Sequence, residues 1–266
     1  MLRAFRYAGS KQYLISYINA LLPENSEEYT YIEPFLGSGA IFYNLSKDFK
    51  HYQLSDMCEY IIALHSCFTR FNYSDYAYML ENIKETYGDI KIDKDAYYKF
   101  RNHYNCDTGG FKDLKLFMLA NSCINSLLRF GPNGMNQSFG HRHYIVTEND
   151  WNAMQSKLRE ASLVKANYLS LLIDSNTKCF IYLDPPYDTK WVDYSYYYFD
   201  SDEYVPWLIS ISKPNVKIAY SDIDEHWWPK LEQVGWKRVP VKELRNCNPN
   251  SSREITMHEY LYTFNI

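Results

Sequence analysis

The segment from residue 29 to residue 56 constrains the fold most strongly, because it has the pattern strand, glycine turn, helix and strand. Strand-forming residues at 29–33 precede a turn that contains Gly37 and Gly39, and a short strand at 52–55 ends at Asp56. This order is typical of a βαβ unit, in which the two strands are parallel. With 266 residues, the chain has the length of one large domain or of a domain with one insertion.

Later segments extend the predicted sheet. Residues 179–183 and 216–220 are apolar runs of the kind that buried parallel strands have, and residues 255–264 have the pattern of an antiparallel terminal strand. Residues 59–128 are mainly helical by their period, and a turn at 131–134 indicates a hairpin. We therefore predict an α/β fold, a Rossmann-like sheet that is interrupted by a mainly helical insertion with a β-hairpin.

Charge is distributed unevenly along this chain. The formal net charge is −4, which at first sight argues against a polyanionic partner. Residues 97–143, however, hold six Lys or Arg residues and two Asp residues, a local charge of +4 that leaves −8 for the rest. The insertion is therefore the part of the chain that is suited to bind a polyanion.

Composition also bears on location and on metal binding. The chain has no apolar run of 18 residues, and its first residues lack the apolar block of a signal peptide. We therefore expect no membrane segment and a cytoplasmic location. The six cysteines form no C-x-x-C pair, so their spacing indicates neither zinc nor disulfide exchange, and we expect no metal.

The glycine turn and Asp56 form the first candidate site. Glycines after a first strand let a ligand approach the backbone, and an acid at the end of the second strand can bind two ribose hydroxyls. The third glycine of the dinucleotide fingerprint is missing, so a nucleoside ligand without phosphates fits this turn better. A turn that only caps the next helix is the alternative.

The tetrapeptide Asp184-Pro185-Pro186-Tyr187 follows the apolar run 179–183 and is the second candidate site. The exocyclic amine of a nucleobase is a poor nucleophile, because its lone pair is conjugated into the ring. If a carboxylate and a rigid backbone carbonyl each accept one N–H, the lone pair is directed at an electrophile, and two prolines hold that carbonyl in place. The tyrosine would stack on a base that has been flipped out of a duplex.

With these motifs, the chain resembles the DNA amino-methyltransferases that depend on S-adenosylmethionine (AdoMet), specifically the adenine-N6 enzymes of the Dam type in their α arrangement. The similar blocks are residues 6–11, 31–39, 55–56, 97–101 with Asn105, 125–129, 138–140, 183–187 and 251–253. The resemblance implies transfer of a methyl group from AdoMet to the N6 amine of adenine in a short DNA sequence, with base flipping and with S-adenosylhomocysteine as product. Relatives usually have a proline before the aromatic residue of block 138–140, so GATC or a related sequence is left open as the target.

The resemblance also assigns residues to roles. It implies a catalytic site at Asp184, Pro185, Pro186 and Tyr187, and a cofactor site at Tyr7, Ala8, Gly9, Lys11, Phe35, Gly37, Gly39, Asp56 and Asp184. Together with the charges beside the hairpin, it predicts DNA contacts at Arg6, Arg101, Asn125, Arg129, Asn133 and Arg142. Residues 1–64 and 160–266 would form the catalytic domain, and residues 65–159 the inserted target-recognition domain.

Three alternatives stay open at this point. The same amine geometry serves cytosine-N4 methylation, the polymer could be RNA, or the chain could be a non-catalytic nucleic-acid-binding relative. Double-stranded DNA is the expected partner, in a bacterial or phage-encoded protein that is a monomer or weak dimer. A cognate restriction endonuclease is a further open partner.

Overall fold

The structure is a computed structural model, and it describes residues 1–7, 9–126, 128–141, 143–186, 199–223, 226–246 and 255–266. Its strands are β1 (Thr30–Glu33), β2 (His51–Asp56), β3 (Phe130–Gly131), β4 (Gly134–Met135), β5 (Ala161–Lys165), β6 (Cys179–Leu183), β7 (Val216–Asp222), β8 (Lys237–Asn246) and β9 (Ile255–Phe264). Its α-helices are α1 (Ile15–Leu21), α2 (Glu59–Arg70), α3 (Tyr73–Tyr87), α4 (Lys94–Cys106), α5 (Lys112–Ala120), α6 (Glu148–Arg159), α7 (Ser201–Ile211) and α8 (Trp228–Gln233).

The chain divides into two compact units. Unit 1 contains Met1–Ser16, Leu36–Ser46 and Cys58–Lys165, and unit 2 contains Tyr17–Phe35, Lys47–Met57 and Ala166–Ile266. Unit 1 thus includes the whole predicted insertion, residues 65–159, together with the glycine turn and the N-terminal block. The assignment of residues 65–159 to DNA recognition, and of residues 1–64 and 160–266 to catalysis, stays a prediction.

Unit 2 is built on a mainly parallel sheet, in which neighbouring strands follow the order β2, β1, β6, β7, β9 and β8. The pairs β1–β2, β1–β6 and β6–β7 are parallel, and β9 is antiparallel to both β7 and β8. Every residue of β1 and β6 is buried, which explains why β6 reads as a continuous apolar run. The predicted α/β fold, with its antiparallel final strand, is confirmed.

Unit 1 is mainly helical, as predicted. Helices α2, α3, α5 and α6 pack around Phe68, Tyr76, Phe117 and Trp151, whose rings contact one another at centroid distances of 4.6–6.0 Å. The helical segment is divided at glycine-containing turns: α3 ends before Gly88, and α4 ends before the turn that precedes α5. The hairpin of β3 and β4 is also present, but its second arm is only Gly134–Met135.

One local prediction was wrong. The helix expected after the glycine turn is absent from the described structure there, and the segment forms only a 3₁₀ turn at Phe42–Asn44. In the N-terminal block, no side chain caps the 3₁₀ turn Gln12–Leu14, and the Ser10 hydroxyl accepts a hydrogen bond from Ser38 at 3.1 Å. Among the described residues, no helix is both long and apolar enough to cross a membrane.

Candidate active site

The carboxyl ends of four neighbouring strands place acidic residues along one edge of the unit 2 sheet. Glu33 ends β1, Asp56 ends β2, Asp184 follows β6 and Asp222 ends β7. Because these strands are parallel and adjacent, the four carboxylates belong to the same edge of the sheet, the edge at which open α/β sheets bind ligands. Glu33 and Asp222 are buried, whereas Asp56 and Asp184 are half-buried.

Asp184 is oriented by a buried serine. The Ser221 hydroxyl on β7 donates to Oδ1 of Asp184 at 3.1 Å, and the hydroxyl oxygen of Ser221 also lies 3.2 Å from the hydroxyl of Tyr182. Ser221 is fully buried, Asp184 is half-buried and Pro185 is buried. Oδ1 of Asp184 is therefore hydrogen-bonded within the protein, while the aspartate as a whole is partly exposed to solvent.

An aromatic cluster flanks the acidic edge. The half-buried ring of Phe35, just after β1, lies 5.2 Å from the ring of Tyr168 and 6.0 Å from that of Tyr204. The Tyr204 hydroxyl is buried and has no hydrogen-bond partner in the described part of the chain. Burial, together with the negative charges of Asp222 and Asp184, raises the pKa of this phenol. The Tyr204 hydroxyl is therefore neutral, and it can donate to a ligand or to water.

The glycine turn belongs to unit 1. Gly37 and Gly39 have φ angles of +47° and +65°, which side chains with a Cβ rarely adopt. A Cβ on Gly37 would lie 3.3 Å from the ring of Tyr7, and one on Gly39 would lie 2.9 Å from the ring of Tyr43. Both backbone conformation and space therefore require glycine here, and Tyr7 covers the turn.

A cavity of about 450 Å³ lies in unit 1 beside the N-terminal block. It is lined by Arg3, Arg6, Tyr7, Ser10, His143 and Tyr144. Nδ1 of His143 is buried with no hydrogen-bond partner among the described residues. Two guanidinium groups and an imidazole give the cavity a chemistry suited to a phosphate or to the acceptor atoms of a base.

Two further predicted cofactor residues lie in the N-terminal block. Lys11 is buried, and Gly9 is exposed with a φ of +83°.

The hairpin is fixed to α4 by a side-chain amide. Asn105 donates from Nδ2 to the Met135 carbonyl at 2.9 Å and accepts the Met135 amide on Oδ1 at 2.8 Å. A Cβ on Gly134 would lie 2.6 Å from that Oδ1, so the two residues are in close contact. The ring of Phe130, on the other strand, stacks on Tyr60 of α2 with centroids 3.6 Å apart. Both arms of the hairpin are therefore held.

The predicted DNA contacts near the hairpin fall into two groups. Asn133 at the tip and Asn125 are exposed, and Asn125 has a left-handed backbone with φ of 54°. Arg129 and Arg101 are bonded within the protein: Nε of Arg129 donates to Oδ1 of Asn136 at 2.8 Å, and Arg101 donates to the Gln137 carbonyl at 2.8 Å. The side chain of Arg101 thus supports the segment that follows the hairpin, a contact that the sequence did not predict.

Three predicted site residues, Ala8, Tyr187 and Arg142, lie outside the described residues. The other predicted cofactor and catalytic residues fall into two groups. Phe35, Asp56, Asp184, Pro185 and Pro186 are in unit 2, and Tyr7, Gly9, Lys11, Gly37 and Gly39 are in unit 1. Within the described part of the chain, no three His, Cys, Asp or Glu residues are grouped to hold a metal ion.

Comparison with known proteins identifies the family. Residues 7–225 match the model of the D12 class N6 adenine-specific DNA methyltransferases. The chain belongs to this family. The methyltransferase is 24% identical to the Type II methyltransferase M.MjaIII of Methanocaldococcus jannaschii, over 94% of each chain. It is 28% identical to the DNA adenine methylase of Serratia marcescens, over 70% of this chain and 67% of that one, and 29% identical to the DNA adenine methylase of Vibrio cholerae, over 70% and 65%.

The family description names an adenine-specific DNA methyltransferase, so site-specific adenine methylation of DNA is the activity of this methyltransferase. The alternatives of cytosine-N4 methylation, an RNA substrate or a non-catalytic relative find no support in these comparisons. A methyltransferase of this kind takes its methyl group from AdoMet, and the described residues fit that cofactor. The acidic edge suits its positive sulfonium and ammonium groups, and a half-buried phenylalanine and an unpartnered phenol lie beside that edge.

Sequence reasoning missed Ser221, His65 and the anchoring role of Asn105. Ser221 lies directly after an apolar strand segment, in the motif Tyr220-Ser221-Asp222. Two polar residues at the carboxyl end of a parallel strand indicate a ligand site, so this position could have been found from the sequence. His65 falls on the apolar face of α2, and nothing in the sequence distinguishes it from an ordinary buried histidine.

Proposed function

We propose that this methyltransferase acts on an adenine that is flipped out of double-stranded DNA, with Asp184 and the Pro185 carbonyl as acceptors for the N6 amine. The observation that carries the proposal is the bond from Ser221 to Asp184, because it holds one carboxylate oxygen inside the protein. We assign the second carboxylate oxygen to a substrate N–H. We infer flipping because a catalytic pocket and a methyl donor cannot surround the amine of a base that is stacked inside a duplex.

The chemistry demanded of the protein is mainly positioning. When bound, AdoMet supplies a methyl group on a positively charged sulfur. Asp184 and Pro185 accept the two N–H groups of the adenine amine, which directs the nitrogen lone pair away from the ring. The two consecutive prolines limit backbone rotation at the acceptor carbonyl, and Tyr187 stacks on the flipped base.

For the cofactor, we assign the ribose hydroxyls to Asp56, because its carboxylate ends β2, the parallel neighbour of β1, at the edge where open α/β sheets bind ligands. Phe35 would pack against the adenine of AdoMet, supported by Tyr168 and Tyr204. In unit 1, we also assign the backbone of Gly37 and Gly39, with Tyr7, Ala8, Gly9 and Lys11, to the cofactor. Their positive φ angles and close contacts support this role for the two turn glycines.

For DNA recognition, we assign the tip of the hairpin, with Asn133, to the target sequence. The support is its exposure combined with the anchoring of both arms, because a rigid projection can read base edges more selectively than a mobile one. Arg6 would contact a guanine from the cavity of unit 1, and Asn125, Arg129 and Arg142 would contact the bases or phosphates beside it. Residues 65–159 would thus be the recognition domain, and residues 1–64 and 160–266 the catalytic domain.

The target would be GATC or a related short sequence, and a restriction endonuclease of the same sequence specificity would be a natural partner.

The proposed activity is tested by expression in a host without DNA methylation, followed by single-molecule sequencing of the host genome. We expect N6-methyladenine at one short consensus sequence. Methylated adenines without a shared sequence, or methylated cytosines, would contradict the proposal.

A further inference from the structure

The glycine turn is bound on one side by a buried histidine. His65, on α2, is fully buried. Its Nε2 lies 2.9 Å from the carbonyl oxygen of Gly37, and its Nδ1 lies 2.9 Å from the hydroxyl of Tyr43. A carbonyl can only accept a hydrogen bond, so Nε2 carries the proton and Nδ1 accepts from the tyrosine. These contacts define one neutral tautomer.

Packing leaves the ring of His65 little freedom to move. The ring of Phe5 lies 5.0 Å from it and the ring of Tyr43 lies 5.6 Å from it. A Cβ on Gly39 would lie 3.1 Å from Cε1 of His65 and 2.9 Å from the Tyr43 ring, so the two rings also close the space beneath the turn. Burial lowers the pKa of His65 to about 4, which keeps the imidazole neutral near pH 7.

We propose that His65 and Tyr43 are positioning residues for the cofactor, which hold the backbone of the glycine turn in its AdoMet-binding conformation. Both act through the turn and touch no reacting atom. The inference rests on the proposed function, in which this turn binds AdoMet. Glycine adopts a positive φ angle at little cost, but it adopts other backbone conformations about as readily. The positive φ angles of Gly37 and Gly39 must therefore be maintained by contacts of the turn with neighbouring residues.

The main test uses His65→Phe, which keeps an aromatic ring of similar size and removes both ring nitrogens. AdoMet and S-adenosylhomocysteine binding are measured by calorimetry, without DNA and without turnover. We expect the dissociation constants to rise about tenfold, the effect of losing ~1.4 kcal/mol. Hydrogen exchange at the Gly39 amide, which donates to Leu36 at 2.7 Å, should become faster by a similar factor.

Two further variants keep this test decisive if His65→Phe folds poorly. Tyr43→Phe removes one hydroxyl only, and we expect a rise of about threefold to tenfold in the AdoMet dissociation constant. His65→Gln retains an N–H donor that can reach the Gly37 carbonyl, so we expect partial rescue. The matched control is Cys67→Ala, a buried residue on the same helix whose thiol bonds to the Ala63 carbonyl one turn away. It should lower stability without changing AdoMet binding.

The outcomes separate this inference from the proposed function. If His65→Phe and Tyr43→Phe bind AdoMet as the unmodified protein does, while Gly37→Val and Asp56→Ala lose binding, the positioning role is wrong and the cofactor site stands. If Gly37→Val and Asp56→Ala also keep full affinity, the assigned cofactor site itself is wrong. If Cys67→Ala weakens binding as much as His65→Phe does, the effect is general destabilisation and the inference is overturned.

Discussion

The hydroxyl of Ser221 lies 3.1 Å from Oδ1 of Asp184 and donates to it. The serine is buried on β7, whereas the aspartate lies just past the end of the neighbouring strand β6. A residue of the sheet interior thereby sets the orientation of a carboxylate at the sheet edge. Catalysis by positioning requires such support, because a displacement of about 1 Å at the reacting group can cost roughly a hundredfold in rate.

Replacement of Ser221 by alanine should therefore slow methyl transfer without affecting the cofactor. We expect the single-turnover rate constant of methyl transfer to fall about tenfold, the effect of one lost hydrogen bond to a charged group, while the AdoMet dissociation constant changes less than about twofold. The measurement is single-turnover methylation of a DNA duplex at saturating AdoMet. Ser210→Ala is the control, since that hydroxyl bonds to the Trp207 carbonyl of its own helix. A Ser221→Ala enzyme with the full rate constant would mean that the bond does not orient the catalytic carboxylate.

The anchoring of the hairpin by Asn105 gives a prediction for DNA recognition. Asn105→Ala removes both hydrogen bonds to Met135, and we expect the affinity for target DNA to fall about tenfold or more, with AdoMet binding unchanged. The control Asn102→Ala changes an exposed amide on the same helix. Fluorescence anisotropy with target and scrambled duplexes gives both affinities. Equal losses in the two asparagine variants would rule out a specific role for Asn105.

Arg6 should contribute to sequence specificity more than to general DNA affinity. If its guanidinium contacts a guanine from the unit 1 cavity, Arg6→Gln should relax the preference at one base pair by about 1–3 kcal/mol. Methylation of a library with every position of the target varied measures this directly. A loss that is uniform over all sequences, with a smaller dependence of binding on salt, would instead assign Arg6 to a phosphate.

The buried His65 predicts a specific pH dependence of stability. Its pKa is about 4 in the folded chain and near 6.5 when unfolded, so the unfolded state gains a proton first as the pH falls. The free energy of unfolding should therefore decrease from about pH 6.5 down to about pH 4, with no further loss from this residue below that. By linkage, this residue accounts for about 2 kcal/mol between pH 7 and pH 5.

Urea unfolding of the unmodified protein and of His65→Phe at both pH values tests this prediction. Other groups titrate in the same range, so the informative quantity is the difference between the two proteins. We expect the variant to lose about 2 kcal/mol less than the unmodified protein on acidification. The same loss in both proteins would show that His65 is protonated to an equal extent when folded and unfolded.

The sheet could be predicted from the sequence because its strands have distinctive patterns. The apolar run Cys179–Leu183 coincides with β6, and the terminal strand Ile255–Phe264 coincides with β9. The segment after the glycine turn was mistaken for a helix, because its apolar residues fit a helical period. In the structure, the segment forms only the 3₁₀ turn Phe42–Asn44. The ring of Tyr43, within this turn, packs against His65. Tertiary contacts decided its conformation, and local pattern does not report them.

The site was predictable only where consecutive residues carry its chemistry. Asp184 and Asp56 were identified because each follows a recognisable strand. The supports of the site were not, since Ser221 reaches Asp184 from 37 residues away and Asn105 reaches Met135 from 30. Such pairs are formed by the fold, and a single sequence contains no signal that joins them.

The tyrosine content of the chain also becomes clearer in the structure. The sequence has 27 Tyr residues, and most had no expected role beyond core packing. Several tyrosines place a ring in the core and a hydroxyl on a polar group near the site: Tyr43 on His65, Tyr97 on the Gln137 carbonyl, and Tyr182 on Ser221. Tyrosine can fill the core and still position polar groups, which phenylalanine cannot do.

In the proposed mechanism, the Asp184 carboxylate directs the adenine amine, and Asp184→Ala tests this role most directly. The measurement is N6-methyladenine per target site, by mass spectrometry of digested DNA after a single turnover at saturating AdoMet. Calorimetry confirms cofactor binding, and Asp174→Ala serves as an exposed control. We predict a rate at least about a hundredfold lower for Asp184→Ala, comparable to removal of one preorganised group from an active site. A variant that binds AdoMet and methylates adenine at close to the unmodified rate would contradict the mechanism.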